Sequence, residues 1–145
     1  MDHHIQLASP DDYPRIMEIW VSAVKATHDF LTKEDFEYFK TAIPEHYLPQ
    51  LEVYLIFSQQ LAVGFASASG GNLEMLFIDD AVRGKGYGKA LYSFMKEKTG
   101  LTSVDVNEQN LQAIGFYEKL GFRKTGRSEK DSSGRNYPII HMSLP

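Results

Sequence analysis

The chain has 145 residues, 43% of them hydrophobic and 12% aromatic, enough to bury the core of one globular domain and too apolar for a disordered chain. It contains no cysteine, which excludes disulfides, thiolate metal sites and a cysteine acyl-enzyme. Its net charge of −4, from 15 basic and 19 acidic side chains, disfavours nucleic acid as a partner and favours cationic ones.

No run of about eighteen apolar residues is present, so no membrane partner is expected. The start, Met1-Asp2-His3-His4-Ile5, lacks the basic and apolar regions of a signal peptide, and the expected location is cytoplasmic. His3-His4 is too short for a metal site. No cluster of His, Asp and Glu has metal-ligand spacing, so no metal is expected.

Residues 4–8 alternate as a short strand with Ile5 and Leu7 on one face. Ser9 as N-cap, Pro10 at N1 and two acids then open a helix over about 10–26. Its apolar stripe is Tyr13, Ile16, Met17, Trp20, Ala23 and Val24. Thr32 caps a second helix, roughly 33–42, and Pro44 and Pro49 bracket a turn or short helical piece. Three strands follow as a meander over 53–57, 61–69 and 72–78, with Gly70-Gly71 as a hairpin signal. A helix over about 87–98 stops at Gly100, and 103–106 is a short buried strand. A helix over about 110–119 ends at Gly121. The stretches 122–128 and 138–143 then pair as a hairpin across Asp131-Ser132-Ser133-Gly134. This order predicts an α+β (mixed α/β) fold, helices on a largely antiparallel sheet, as one domain over 1–145.

The most informative stretch is Arg83-Gly84-Lys85-Gly86-Tyr87-Gly88-Lys89, between a strand and a helix. Such a turn aims unpaired N–H groups and the positive end of the helix dipole at whatever sits there. Glycines permit close approach, and three cations add charge, so a phosphate or pyrophosphate is the expected ligand. The dinucleotide fingerprint fails because its third glycine would be Lys89. A P-loop fails because position 83 is Arg and position 90 is Ala. What remains is Arg-x-x-Gly-x-Gly, carried by Arg83, Gly86 and Gly88. This resembles the acyl-CoA pyrophosphate loop of the GNAT superfamily, the GCN5-related N-acetyltransferases.

A second segment strengthens the resemblance. Asn107, Asn110, Ala113, Phe116-Tyr117 and Leu120-Gly121-Phe122 are similar to the family pattern of Asn, then Ala, then an aromatic-Tyr pair before Leu-Gly-Phe. The phrases at 27–31, 106–110 and 125–129 also resemble small bacterial members. The predicted element order agrees, so the likeness spans nearly the whole chain. It implies the GNAT fold, a central, mostly antiparallel sheet of six to seven strands flanked by about four helices.

The resemblance also implies acetyl-CoA as co-substrate. Backbone amides of 84–89 (Gly84, Lys85, Gly86, Tyr87, Gly88, Lys89), with Arg83, would hold the pyrophosphate. The backbone of Met75, Leu76, Phe77 and Ile78 would pair with the pantetheine arm, and Asn107 and Asn110 would contact pantetheine or the adenosine-diphosphate portion. Tyr117 matches the family's general-acid position: a phenol (~10) can donate to a departing thiolate (~8.5). A core role on its helix face is the competing reading for Tyr117, and helix capping for the two asparagines.

The general base stays open between Glu74 and His28. Strict alternation places Glu74 with Leu76 and Ile78 on one strand face, and Leu73, Met75 and Phe77 on the other. His28 lies in the loop expected to rim the acceptor site. Trp20, Phe30 and Tyr137, with His28 and Glu74, are candidates to wall an acceptor pocket; for Trp20 core packing is the stronger reading. Acids at Asp29, Glu34, Asp35 and Glu37 favour a cationic amine acceptor.

The reading is an N-acetyltransferase acting on a primary amine, protein or peptide lysine or a small amine, by direct attack in a ternary complex. It would work as a monomer or a homodimer. Two alternatives stay open, a non-catalytic acyl-CoA sensor and a tRNA-directed member of the superfamily. The second needs a basic surface that this composition does not offer.

Overall fold

The computed structural model describes residues 3–145; Met1 and Asp2, part of the start read above, lie outside them. The chain runs β1 (His4–Leu7), α1 (Tyr13–Thr27), α2 (Lys33–Ala42), β2 (Val53–Ser58), β3 (Leu61–Ser69), β4 (Asn72–Ile78), α3 (Tyr87–Thr99), β5 (Ser103–Asn107), α4 (Leu111–Lys119), β6 (Arg123–Ser128) and β7 (Ile139–Ser143). The helix ends obey local chemistry. The Thr32 hydroxyl accepts the Asp35 N–H at 3.1 Å to open α2. Asn110 Oδ1 accepts the Ala113 N–H at 3.1 Å to open α4. Gly100, at φ +67°, closes α3 in the left-handed conformation glycine adopts at low cost.

One helix start differs from expectation. The Ser9 N–H donates to Asp12 Oδ2 at 2.9 Å, a 3₁₀ turn occupies Pro10–Asp12, and the α-helix begins only at Tyr13. The segment between the prolines forms two tight turns, Ile43–Tyr47 and Leu48–Gln50.

The seven strands form one sheet in the order β1-β2-β3-β4-β5-β7-β6. All neighbours are antiparallel except β4 and β5. That pair shares only Asn72↔Ser103 and Leu73↔Val104, after which the two strands part. Beyond Leu73, β4 therefore has a strand on one side only, and a V-shaped gap opens on the other.

Two cores cover the two faces. Under α3 and α4 lie Leu91, Met95, Val104, Val106, Ile140 and Met142. Under α1 and α2 lie Ile16, Ile19, Trp20, Leu55 and Phe65. Ile19 joins the predicted stripe of α1 and is fully buried. Leu7 does not share the fate of Ile5: it lies 52% exposed near the end of the edge strand β1.

Strict alternation along β4 is overturned. Ser67 pairs with Met75 but Ala68 with Leu73, so Glu74 is an extra, bulged residue. The bulge reverses the face of everything before it. Leu73 packs in the α3/α4 core with Leu76 and Ile78, while Met75 and Phe77 belong to the other core. Opposite this strand, Gly64 is glycine for space: a Cβ there would overlap the Ile78 side chain and sit 3.0 Å from the Phe77 carbonyl oxygen. Among the described residues no helix is long and apolar enough to cross a membrane.

Candidate active site

The gap between β4 and β5 widens into two joined cavities. The larger, of about 600 Å³, runs from the glycine loop along β4 to the C-terminal end of α1. The smaller, of about 150 Å³, lies between the parting strands. His28, Leu76, Phe77, Asn110, Ala113 and Tyr117 border both and form the throat between them.

Ile78, Arg83, Gly84, Gly86, Tyr87, Gly88 and Lys89 line the larger cavity only, and Glu74, Met75 and Asn107 the smaller only. Lys85 lines neither, and its side chain is exposed at the loop.

The loop ends in an open helix N-terminus. Gly84 and Gly86 adopt φ +79° and +93°, and α3 starts on Gly86 with no capping side chain and no acid in its first turn. The first-turn amides are thus left to an external acceptor. Arg83 shares its charge with Asp80 at 3.2 Å. The Tyr87 side chain turns away into the core, where its hydroxyl donates to Ser58 Oγ at 2.9 Å, so only its backbone faces the loop.

The opposite wall is α4. Asn110 Oδ1 caps the helix and Asn107 Oδ1 accepts the Gln109 N–H at 3.1 Å. Capping uses only the oxygens, so both carboxamide NH₂ groups remain as donors toward the gap. Tyr117 is 6% exposed, its ring 5.1 Å from Phe116 and 5.7 Å from Phe122. The Phe122 N–H returns to the Tyr117 carbonyl and the Gly121 N–H to that of Glu118, a Schellman ending with its apolar contact between Tyr117 and Phe122. Core packing and cleft access coexist here. Burial, with a smaller effect from Tyr92, pushes the phenol well above its ordinary pKa, so it stays protonated.

His28 closes the throat from α1. Burial pushes its imidazole down to about 4, against a smaller opposing effect of Asp29. Thr27 Oγ1 donates to the Ala23 carbonyl at 2.8 Å, and its single proton is thereby used. His28 Nδ1, 2.7 Å away, must then be the donor to Thr27, which leaves Nε2 as a bare acceptor. Phe30 stands 5.1 Å from the His28 ring and Tyr137 6.1 Å from Phe30, an aromatic row beside the throat rather than in it.

Trp20 takes the core place that its helical stripe favoured and not a place in an acceptor pocket. It is 4% exposed, stacked on Phe36 at 5.3 Å, and borders neither cavity; Ala23, one turn on, takes the wall position. Glu74, the bulged residue, is exposed at the rim of the smaller cavity. Asp35 is not a free acid either: Tyr137 and Arg135 both bind its carboxylate. Sequence reasoning passed over Asp105, on the rim opposite Glu74. Its signal was present, an acid alternating with the inward-facing Val104 and Val106.

The acetyltransferase (GNAT) domain model matches residues 22–144. The chain belongs to the GNAT acetyltransferase family. As a GNAT enzyme it transfers an acetyl group from acetyl-CoA to an amine. It is 38% identical over 144 residues to the peptidyl-lysine N-acetyltransferase YjaB of Salmonella typhimurium, covering 98% of each chain. The solution structure of apo-form YjaB from Escherichia coli superposes with a TM-score of 0.91 at 35% identity, over 99% of this GNAT chain and 98% of that one. The fold also matches yncA of Salmonella typhimurium, solved with its cofactor acetyl-CoA, at TM-score 0.65 and 22% identity, over 98% and 92% of the chains.

Proposed function

We propose that the chain acetylates lysine side chains of proteins or peptides by direct attack of the amine within a ternary complex. One observation carries this reading. The half-unpaired edge of β4 runs from the uncapped start of α3 to a throat holding Tyr117 and His28. Such an edge suits an extended, amide-bearing arm that adds like a strand, and the helix start suits its pyrophosphate. The relatives named peptidyl-lysine N-acetyltransferases support the choice of acceptor.

Bound acetyl-CoA supplies the activated acyl thioester. The amides of 84–89, with Arg83, Lys85 and Lys89, hold phosphate charge, and the backbone of Met75 to Ile78 with Asn107 and Asn110 orients the arm. Tyr117, kept protonated by burial, donates a hydrogen bond to the sulfur as negative charge develops there. His28 Nε2 and Glu74 can accept hydrogen bonds that orient the incoming nitrogen. Phe30 and Tyr137 border its approach, where the exposed carboxylate of Glu74 favours a cation. All these residues come from one chain, and a monomer or either half of a homodimer presents them alike. The protein acts in the cytoplasm, where lysine-bearing proteins and acetyl-CoA meet.

The test is a steady-state assay with acetyl-CoA, a lysine peptide and a panel of small primary amines. Tyr117→Phe is expected to lower kcat by about 10²–10⁴ while acetyl-CoA affinity is kept. An unchanged kcat would remove Tyr117 from the mechanism. Turnover confined to small amines would overturn the lysine assignment.

A further inference from the structure

Asp105 is the end of a hydrogen-bonded chain that crosses three neighbouring strands. It pairs in register with His141 of β7, and His141 Nδ1 lies 2.6 Å from Asp105 Oδ1. On the next strand, Ser128 Oγ lies 2.7 Å from His141 Nε2. An ionised carboxylate only accepts, so the Nδ1 proton sits on the ring and points at Asp105. Ser128 and Nε2 then share one hydrogen bond, the hydroxyl donating to a bare Nε2 or accepting from an Nε2–H, and Nδ1 is the donor to Asp105 in either form. The second carboxylate oxygen is met by Asn72 Nδ2 at 3.4 Å, and Asn72 is itself held by Ser103 Oγ at 2.8 Å. Gly126 lies against the ring; a Cβ there would come to 3.6 Å of His141 Cδ2, and glycine leaves that edge uncovered.

The linkage has the order of a serine-hydrolase triad, but its working end is reversed. Asp105, not Ser128, lines the small cavity, together with Tyr117 and Met75. We propose that Asp105 accepts the proton shed by the acceptor ammonium, with His141 and Ser128 as positioning residues that hold its carboxylate at the cavity rim. This rests on amine acetylation as the reaction. An ammonium nitrogen loses two protons on becoming an amide: one ends on the departing thiolate and the other must reach water. The nitrogen's bond to that second proton breaks as the Asp105 oxygen forms one, and the neutral acid passes it to solvent.

Asp105 suits this task better than its neighbours for two reasons. Its side chain is partly exposed at the rim and held by His141, so a proton that it takes up can pass to water. His28 would become a half-buried cation, which its surroundings oppose. Glu74 has no hydrogen bond to hold it among the described residues. The titratable groups around Asp105 are His141 on β7 and, across the small cavity, Glu74 on β4, His28 at the end of α1 and Tyr117 on α4.

The experiment measures kcat/KM against pH for wild type, Asp105→Asn, His141→Ala and His141→Asn. The acceptor is whichever amine the wild type turns over fastest, so failure of the lysine reading shows in the wild type and failure of this one only in the variants. Asp105→Asn is expected to lose about 10²-fold at neutral pH. The gap should narrow as pH rises toward the ~10.4 of a lysine amine, and should be smaller for an analogue whose amine pKa is lowered by a sulfur in the chain. His141→Ala should lose about tenfold, and His141→Asn, which keeps an N–H donor near the Nδ1 position, should recover most of it. Acetyl-CoA affinity should be unchanged throughout, which also reports folding. Wild-type activity in Asp105→Asn, or a loss equal at every pH and for both amines, would overturn the proposal.

Discussion

The Tyr137 hydroxyl donates to the carboxylate of Asp35, 102 residues earlier in the chain. The same hydroxyl oxygen accepts the N–H of Thr32 at 3.2 Å, and Arg135 Nε reaches the other Asp35 oxygen at 2.9 Å while its guanidinium lies 3.8 Å above the Tyr38 ring. The knot ties α2, and with it the loop carrying His28 and Phe30, to the strand pair at the far edge of the sheet.

This knot has a pH signature. The hydrogen bond from Tyr137, helped by Arg135 and Thr32, holds the Asp35 carboxyl below its ordinary 3.8. A depressed folded-state pKa means stability fully present above 3.8 and lost as pH falls through the folded value. The Tm difference between wild type and Asp35→Asn should therefore be greatest near neutrality and close in acid. A difference that does not change with pH would contradict the knot.

His28 acts in the same direction but in a higher pH range. Its folded value of about 4 lies below the 6.5 of the free side chain, so between the two the unfolded chain binds more protons. The resulting penalty on folding is absent above 6.5, grows as pH falls, and is complete below about 4. At 1.36 kcal/mol per unit it reaches roughly 3 kcal/mol, and His28→Gln should remove most of it. An NMR titration of the imidazole checks the cause directly: a midpoint near 6.5 would refute it.

The glycine loop can be tested without confusing charge with strain. Gly86 sits at φ +93°, so Gly86→Ala and Gly86→Glu both carry the same backbone penalty, about 1 kcal/mol. Only the second places a carboxylate where phosphate is expected. Calorimetric titration should show acetyl-CoA binding weakened modestly by Ala and abolished by Glu. Equal affinities would show that the pyrophosphate does not lie there.

Ser67 is a stability prediction far from the chemistry. Its hydroxyl is fully buried on β3 with no hydrogen-bond partner among the described residues. An unpaired buried hydroxyl is destabilising, so Ser67→Ala should add about 1 kcal/mol and raise Tm by about 2–4 °C. A lower Tm would mean that the hydroxyl has a partner after all.

Much of this was legible because it is written locally. The caps Thr32 and Asn110, the stop at Gly100 and the hairpin at Gly70-Gly71 each act within a few residues, and their elements appear where expected. Trp20 was readable from its helical stripe as a core residue, and that is its place. Illegible were pairings between distant segments: Arg15 and Ser22 on Asp79, Glu108 bidentate on Arg127, and the chain from Asp105 to Ser128. Period-two alternation also missed the bulge at Glu74, because a bulge is a relation between two strands and not a property of one.

The sequence alone determined the element order, the glycine loop at a helix start, and with its second motif the family. Those signals depend on backbone preferences and spacing along one stretch of chain. Only the tertiary structure decided that β4 and β5 part after two residue pairs, that His28 is half-buried with its imidazole pushed down to about 4, and that Asp105 stands across the gap from Glu74. Strand register, desolvation and the meeting of charges are set by what packs against a residue, and its sequence neighbours do not carry that information.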